Sequence, residues 1–370
     1  MIGTVESLTE NERHALRAVR QGRARTQTAL TAELDIAQQS GSRIVASLAG
    51  KQLLDIGEPV SEGRRGKPSP ALALKADACY AIGVSIMSDA VATGLIDFSG
   101  TILGREIIAP SSMQPEQVLC CVERQIGDLL AKRGVEPAAL CGVGIAMSGY
   151  FMDDRGSMNP PAPLKDWLGI DIAGLFADRL GIPAWVDNDG NAAAVGEAAL
   201  GVGRHFRSFA YLFFSSGFGG GVIVDGKPLV GRFGNSGEFA GILPYNLYAH
   251  PNLELLRRCV VQRGVDVASV HDLVTRFEPD WPGVEDWIAK TRDSLNLVAS
   301  ACSAILDPEA IVLGGLLPRP LAERLIEEIE FFSQPRWGTR RPVPRVVPAE
   351  APGDAALFGA ASLPLERIYF

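Results

Sequence analysis

Asp187, Asn188 and Asp189 stand together in the segment IPAWVDNDGNAAAVGEAALG, where an apolar run gives way to an alanine-rich stretch. This pattern reads as a strand delivering acids to the start of a helix. A carboxylate in that place is held by backbone N–H groups and can accept hydrogen bonds from sugar hydroxyls. It can also take the proton of a hydroxyl nucleophile. The plainer alternative is that Asp189 only caps the helix that follows. Downstream, SSGFGGGVIVDGKPLVGRFGNSGEFAG brings Gly217, Gly219, Gly220 and Gly221, then Glu238 behind Gly234 and Gly237. A glycine-rich turn by itself marks no more than a tight hairpin.

The elements that must position these residues form an alternating series. YAIGVSI, AVATGLID and TILGREIIA read as three strands separated by turn residues such as Asp97–Gly100. A helix is predicted over about 114–133, then a buried strand, CGVGIAM. FAYLFF and GVIVDG predict a second hairpin resembling the first, so an α/β unit is duplicated within the chain. The strand AIVLGG (310–315) and a helix near 354–366 close the series. The expected body is two α/β lobes with a cleft between them: lobe one over about 78–187 plus a C-terminal helix at 354–368, lobe two over about 188–353.

Residues 1–75 read differently. Residues 9–21 place Leu16 and Val19 on one helical face, Gly22 ends that helix, and Thr26 caps a second helix carrying Leu30 and Leu34. A third helix is predicted from Ala37 to Leu48, with Ile44 and Leu48 facing inward. Two short strands around the tip GRRGKPSP then form a wing. This is the rhythm of a winged helix-turn-helix over residues 1–75, with the body at 76–370. Gln38, Gln39, Ser40, Ser42 and Arg43 lie at the start of the third helix, the part that enters a major groove. Gln can pair with adenine and Arg with guanine. Arg64, Arg65 and Lys67 on the wing suit backbone phosphates. The alternative is a small helical docking unit with a solvated polar face.

Charge agrees with a nucleic-acid-binding head. Residues 1–75 hold 11 lysines and arginines against 8 acids, whereas the remainder holds 24 against 35. Arg13, Arg17, Arg20, Arg23 and Arg25 crowd one stretch, as a polyanion-facing cluster would. The six cysteines (Cys79, Cys120, Cys121, Cys141, Cys259, Cys302) form no CxxC pair and are expected to be reduced core thiols. The four histidines are scattered, with no metal-ligand spacing. No apolar run approaches the ~20 residues that span a bilayer, and the N-terminus carries no apolar signal core. A cytoplasmic location with no membrane partner is expected.

Taken together, these motifs resemble the ROK family (repressors, open reading frames and kinases) of the actin/hexokinase-like superfamily. The head with its GRRGKPSP wing is similar to those of the family's xylose and N-acetylglucosamine repressors. In VDNDGNAAAVGE, Asp189 falls at the family's catalytic-base position. GNSGEFAG matches the sugar-contacting Gly-Glu element at Glu238, AIVLGGLL the adenosine-side element at Gly314 and Gly315, and GDAALFGAA the closing helix. Gly149 in MSGY stands in for a Pro-Gly sugar loop. The resemblance implies sugar contacts from Gly149, Asn159, Asn188, Asp189, Glu238 and Glu254.

The departures bear on chemistry. The family's kinases carry an Asp-x-Gly-Gly-Thr-like phosphate loop, and this chain reads Ser85-Ile86-Met87-Ser88-Asp89 there. The family's zinc site uses a histidine where Gly241 stands and a cysteine run that PYNLYAHPNLELL lacks. The expected protein is therefore a sugar-responsive regulator with no catalytic residue, no cofactor and no metal. It is expected to bind operator DNA and a small sugar as a homodimer or tetramer. Two other readings stay open: an active sugar kinase using ATP, and a regulator that answers to a partner protein.

Overall fold

The computed structural model describes residues 8–60, 68–153, 156–351 and 353–370. The N-terminal unit consists of α1 (Glu10–Arg20), α2 (Gln27–Glu33), α3 (Gln38–Gly50) and a hairpin of β1 (Leu54–Val60) and β2 (Ser69–Leu74). Helix α1 starts at a capping box: Glu12 N donates to Thr9 Oγ1 at 3.2 Å and Thr9 N to Glu12 Oε2 at 2.8 Å. The same Glu12 accepts from Ser47 Oγ at 2.6 Å and Lys51 Nζ at 2.9 Å, pinning α1 to α3. Burial works against this carboxylate, yet the bonds from Ser47, Lys51 and Thr9 hold its pKa down to about 2. Thr26 caps α2, accepting from Ala29 N at 3.1 Å. A Cβ on Gly41 would lie 2.5 Å from Thr31 Oγ1, so glycine is what lets α2 and α3 approach.

On α3 Gly41, Val45 and Leu48 are buried, and Ile44 is half-buried against the same apolar cluster. One expectation for this unit needs correction. The arginine cluster does not face one surface. Arg20 is turned inward, Arg23 pairs with Glu33 at 2.8 Å, and Arg13 and Arg17 border a separate cavity. Arg64, Arg65 and Lys67 lie outside the described residues.

The body begins with β3 (Tyr80–Ile86), β4 (Val91–Asp97), β5 (Ile102–Ile108), α4 (Pro115–Arg133) and β6 (Leu140–Met147). A small pair, β7 (Tyr150–Phe151) and β8 (Met158–Asn159), precedes α5 (Ile172–Leu180), β9 (Ala184–Asn188) and α6 (Asp189–Leu200). The second half holds β10 (Phe209–Phe214), β11 (Phe218–Val224), β12 (Lys227–Pro228), α7 (Leu253–Gln262), α8 (Val270–Arg276) and α9 (Val284–Ile305). It ends with β13 (Ala310–Gly315), α10 (Arg319–Glu328), β14 (Arg345–Pro348) and α11 (Ala355–Ile368).

The two sheets run β5-β4-β3-β6-β9 and β12-β11-β10-β13-β14. Each has an antiparallel meander on one side and two parallel strands on the other. The duplication expected from the paired hairpins is therefore present in the topology. Helices α6 and α11 cross tightly between the sheets. A Cβ on Gly359 would fall 1.6 Å from the Ala192 carbonyl, and one on Gly196 2.2 Å from that of Ala355. No side chain larger than hydrogen fits these two positions without moving a helix.

Helix α11 also ties the body to the N-terminal unit. Arg20 Nη1 meets Glu366 at 2.8 Å, Arg20 Nη2 donates to Ser362 Oγ at 3.0 Å, and the guanidinium lies 4.6 Å from the centre of the Phe370 ring. Tyr369 and Phe370 pack on Phe98 in one apolar cluster with Leu16, Leu48 and Leu72. No helix among the described residues is long and apolar enough to cross a membrane. Of the cysteines, Cys79, Cys141, Cys259 and Cys302 are buried, Cys121 is half-buried and Cys120 is exposed; all six are unbridged.

Candidate functional site

The cleft between the sheets holds a cavity of about 680 Å³. Gly149, Asn159, Asn188, Asp189, Glu238 and Glu254 all line it. Residues spread over more than a hundred positions meet there because β9, the β11–α7 segment and the β6–β8 loops converge on one edge.

Asn188, not Asp189, is the N-cap of α6. Its Oδ1 accepts from Gly190 N at 2.7 Å and Asn191 N at 3.2 Å. Its Nδ2 donates to the Gly149 carbonyl at 2.6 Å and to Glu238 Oε1 at 3.4 Å. The cap thus fixes the loop and the second acid in one step. Gly149 adopts φ +138°, and a Cβ there would sit 2.7 Å from the Asn159 carbonyl.

Relieved of capping, Asp189 accepts from Gly190 N at 2.9 Å and from the Ser148 hydroxyl, and lines the cleft. Burial raises its pKa to about 6, against the bonds from Ser148 and Gly190. Glu238 rises to about 7 through burial, then through the nearby Asp189 charge. Asp187, which accepts from Asn188 N at 2.8 Å and Asn191 Nδ2 at 3.2 Å, is also raised to about 6, by burial. Asp189 and Glu238 are thus desolvated acceptors with few protein donors, suited to hydroxyl groups entering the cleft.

Glu254 is a more committed group. Both its oxygens receive Arg257 at 2.9 Å, and these bonds hold it below the usual carboxylate range. Asn159 Nδ2 donates to Tyr150 Oη at 2.6 Å. Sequence reasoning missed Asn235. Its side chain bonds both the N–H of Phe151, at 2.7 Å, and the carbonyl of Phe151, at 2.8 Å, linking the β7 strand to the Gly-Glu element. The amide in GNSGE was the available signal.

A second chamber of about 300 Å³ continues from the first, sharing Ser88, Asp89, Ser148 and Asp189. Ser85, Met87, Ile107, Val270 and Leu317 also line it. The turn Met87-Ser88-Asp89-Ala90 is closed by Met87 N donating to Ala90 O at 2.9 Å, and Met87, Ser88 and Asp89 line the chamber. Asp354, capping α11, lies buried against Ser85, and burial raises its pKa. Asp89, Asp189 and Asp354 thus face the chamber against Arg105 and His271. A polyphosphate there would meet these three acids, with Arg105, His271 and the hydroxyls of Ser85, Ser88, Ser148, Ser215 and Ser216 as the available donors. A structural zinc does not fit. His250 stacks on Tyr245 at 4.0 Å with its Nε2 against the Leu243 carbonyl at 2.9 Å. No three His, Cys, Asp or Glu among the described residues are placed to hold a metal.

Residues 81–247, the stretch that builds the first sheet, Asp189 and Glu238, match the ROK family. The chain carries a ROK family domain. It is 29% identical to a glucokinase of Streptomyces coelicolor, over 77% of this chain and 97% of that protein. It is 27% identical to the xylose repressor of Bacillus spizizenii, over 50% of this chain and 47% of that protein. Among solved structures, a ROK family transcriptional regulator described as a homologue of the E. coli MLC protein matches with TM-score 0.68 and 18% identity. That match covers 97% of this chain and 96% of the other, so the shared fold extends over the N-terminal unit as well as the ROK domain.

Proposed function

We propose that this chain is a transcription regulator: residues 8–74 belong to a winged helix-turn-helix that reads operator DNA, and a small sugar in the ROK cleft governs that reading. The observation that carries the proposal is the course of α11. Its first turn borders the cleft through Asp354 and Ala356, and its last turn lies in the core of the N-terminal unit through Glu366, Tyr369 and Phe370. A continuous helix of about 21 Å at 1.5 Å per residue, with Pro364 inside it, thus joins the two. The similarity to a xylose repressor supports this reading.

On the head, Gln38, Gln39, Ser40, Ser42 and Arg43 are all exposed on α3. Ser42 is partly engaged, accepting from Gln27 Nε2 at 2.7 Å and donating to the Gln38 carbonyl at 3.0 Å. Ala37 gives α3 no side-chain cap, so its first N–H groups are open to a phosphate. A homodimer would place two heads on half-sites about 34 Å apart. Titration of labelled duplexes from the DNA upstream of the protein's own gene, at several salt concentrations, is the test. Arg43→Ala or Gln39→Ala is expected to cost about 1–3 kcal/mol at particular base pairs. Lys67→Ala, from the wing sequence, should weaken all duplexes evenly and lower the salt slope by about one. Equal binding of specific and random duplexes would reject the reading.

Sugar binding is expected to weaken with acidity. Sugar hydroxyls donate to ionised carboxylates, and Asp189 and Glu238 titrate at about 6 and about 7. Affinity for the best ligand should hold above pH 7.5 and fall progressively through pH 7 to 5.5, as calorimetry at each pH would read. An affinity that is flat or rises over that span would remove these two acids from the site.

A second reading, an active sugar kinase, is favoured by one observation: Asp189 sits in the cleft with a raised pKa near neutrality, as a base for a hydroxyl requires. The glucokinase similarity agrees with it. The three acids and Met87 lining the second chamber oppose it. Turnover well below the ~1–100 s⁻¹ of kinases is expected in a coupled assay with ATP across hexoses and amino sugars. Turnover inside that range would establish the kinase instead.

A further inference from the structure

A third cavity, of about 760 Å³, lies in the seam between α1 and the second half of the ROK domain and shares no lining residue with the cleft chambers. Arg13, Arg17 and Arg23 line it from the N-terminal unit, and Arg207 and Lys227 from the flanks of the β10–β12 meander. Glu10 and Asp225 are the acids among its described lining, so five fixed positive charges face two negative ones. Arg23 has Glu33 at 2.8 Å, but Arg13, Arg17 and Arg207 form no ion pair among the described residues.

The crowding costs energy in the absence of an anion. Burial lowers the pKa of Arg23, and the neighbouring Arg207 and Arg17 oppose its charge while Glu33 supports it. Nε of Arg23 is buried with no hydrogen-bond partner, the one such side-chain nitrogen or oxygen among the described residues. A buried donor left without an acceptor is destabilising, more so when charged. An anion with several oxygens in the cavity would relieve the repulsion among Arg17, Arg23 and Arg207. Guanidinium groups suit phosphate in particular, offering paired N–H donors in a planar fork.

We propose that this seam binds a phosphorylated small molecule, a phosphomonoester whose dianionic head is held by Arg17, Arg23 and Arg207. The volume exceeds what a bare phosphate fills and falls in the range of small-ligand pockets, ~300–1,000 Å³, so an uncharged body of sugar or nucleoside size accompanies the phosphate. Because its ligands come from both the N-terminal unit and the second sheet, the bound anion fastens one to the other. Arg20 and α11 already fasten the N-terminal unit to the first sheet. A ligand that closes or opens the cleft must then change the affinity of the anion in the seam, and the reverse holds by linkage. The site stands independently of which ligand the cleft takes.

The full-length protein is titrated with inorganic phosphate and with glycerol 3-phosphate, followed by thermal shift and calorimetry, with potassium chloride at matched ionic strength as control. A saturable stabilisation beyond the chloride control is expected, tighter for the ester. Arg207 is exposed on lobe two, so Arg207→Ala leaves the core intact. It should weaken the phosphate compounds about tenfold, the worth of one charge-assisted hydrogen bond. Arg17→Ala should do the same, and glycerol alone should give no shift. Absence of a saturable shift overturns the proposal, as does one that survives both substitutions. The proposal also fails if Arg207→Ala spares phosphate binding and instead lowers affinity for random duplex DNA, because the cluster then belongs to the DNA-facing surface.

Discussion

Asp189→Ala is expected to abolish the response to any cleft ligand while leaving the fold intact. The fold should survive because Asn188 holds the cap of α6 through Gly190 N and Asn191 N, and neither bond involves Asp189. What is lost is a desolvated carboxylate at the point where the two chambers join. Two charge-assisted bonds to vicinal hydroxyls, each worth about 1.5–3 kcal/mol, correspond to a loss of a hundredfold or more in affinity. Asp189→Asn separates charge from shape. An acid whose folded pKa is raised holds its proton more tightly when folded, so ionising it costs stability as pH climbs from about 4 through about 6. The asparagine variant should therefore equal or exceed the parent in melting temperature at pH 7.5, lose that margin near pH 4, and still fail to bind. Ligand-induced thermal shift for the parent and both variants reads all of this. A shift of parental size in Asp189→Ala would leave the residue with its bonds to Ser148 and Gly190 and no part in recognition.

The main strands of both sheets could be read from the sequence because runs such as YAIGVSI, CGVGIAM, FAYLFF and AIVLGG are short and apolar and end at turn residues, whereas β7, β8, β12, β14 and the helices α5 and α7–α10 carry no such local signal. The convergence of Asn188, Asp189 and Glu238 on one cavity was readable for a related reason. Each sits where a strand or glycine turn ends, and strand ends in α/β folds meet at the cleft. Side chains that serve contacts between units were not readable. Arg20 looks like its neighbours Arg17 and Arg23 in sequence, and only the arrival of α11, some 346 positions away, makes it a buried partner of Glu366. Asn235 and the Glu254–Arg257 pair were hidden likewise, because their meaning lies in what the chain brings against them. Which residue caps α6 was also undetermined, since a one-residue change in the start of the helix exchanges the roles of Asn188 and Asp189.

Arg20→Ala is expected to divide what the wild-type chain couples, keeping affinity for operator DNA and losing its dependence on ligand. Arg20 is remote from the exposed start of α3: its guanidinium is 7% exposed and committed to Glu366, Ser362 and Phe370. The head keeps its own fastenings, the Glu12–Ser47 and Glu12–Lys51 bonds and the Thr9 and Thr26 caps, so α3 should retain its shape. Glu366 is partly exposed and can be rehydrated once its partner is gone. The loss is confined to the joint and, because the remaining carboxylate regains water, falls below the ~3–5 kcal/mol of a fully buried ion pair. A change that a ligand imposes on the angle between the two sheets can reach the head along α11, and with that joint loosened the two heads of a dimer should no longer follow it. Duplex affinity without ligand should stay within about threefold of the parent, whereas the ligand-dependent change in affinity, about tenfold or more for ordinary couplings, should shrink toward none. Anisotropy titrations with and without the best cleft ligand decide it, with the Asp189→Ala variant alongside. A variant that binds ligand normally yet still transmits it in full would place the coupling in the seam between α1 and the second sheet rather than in α11.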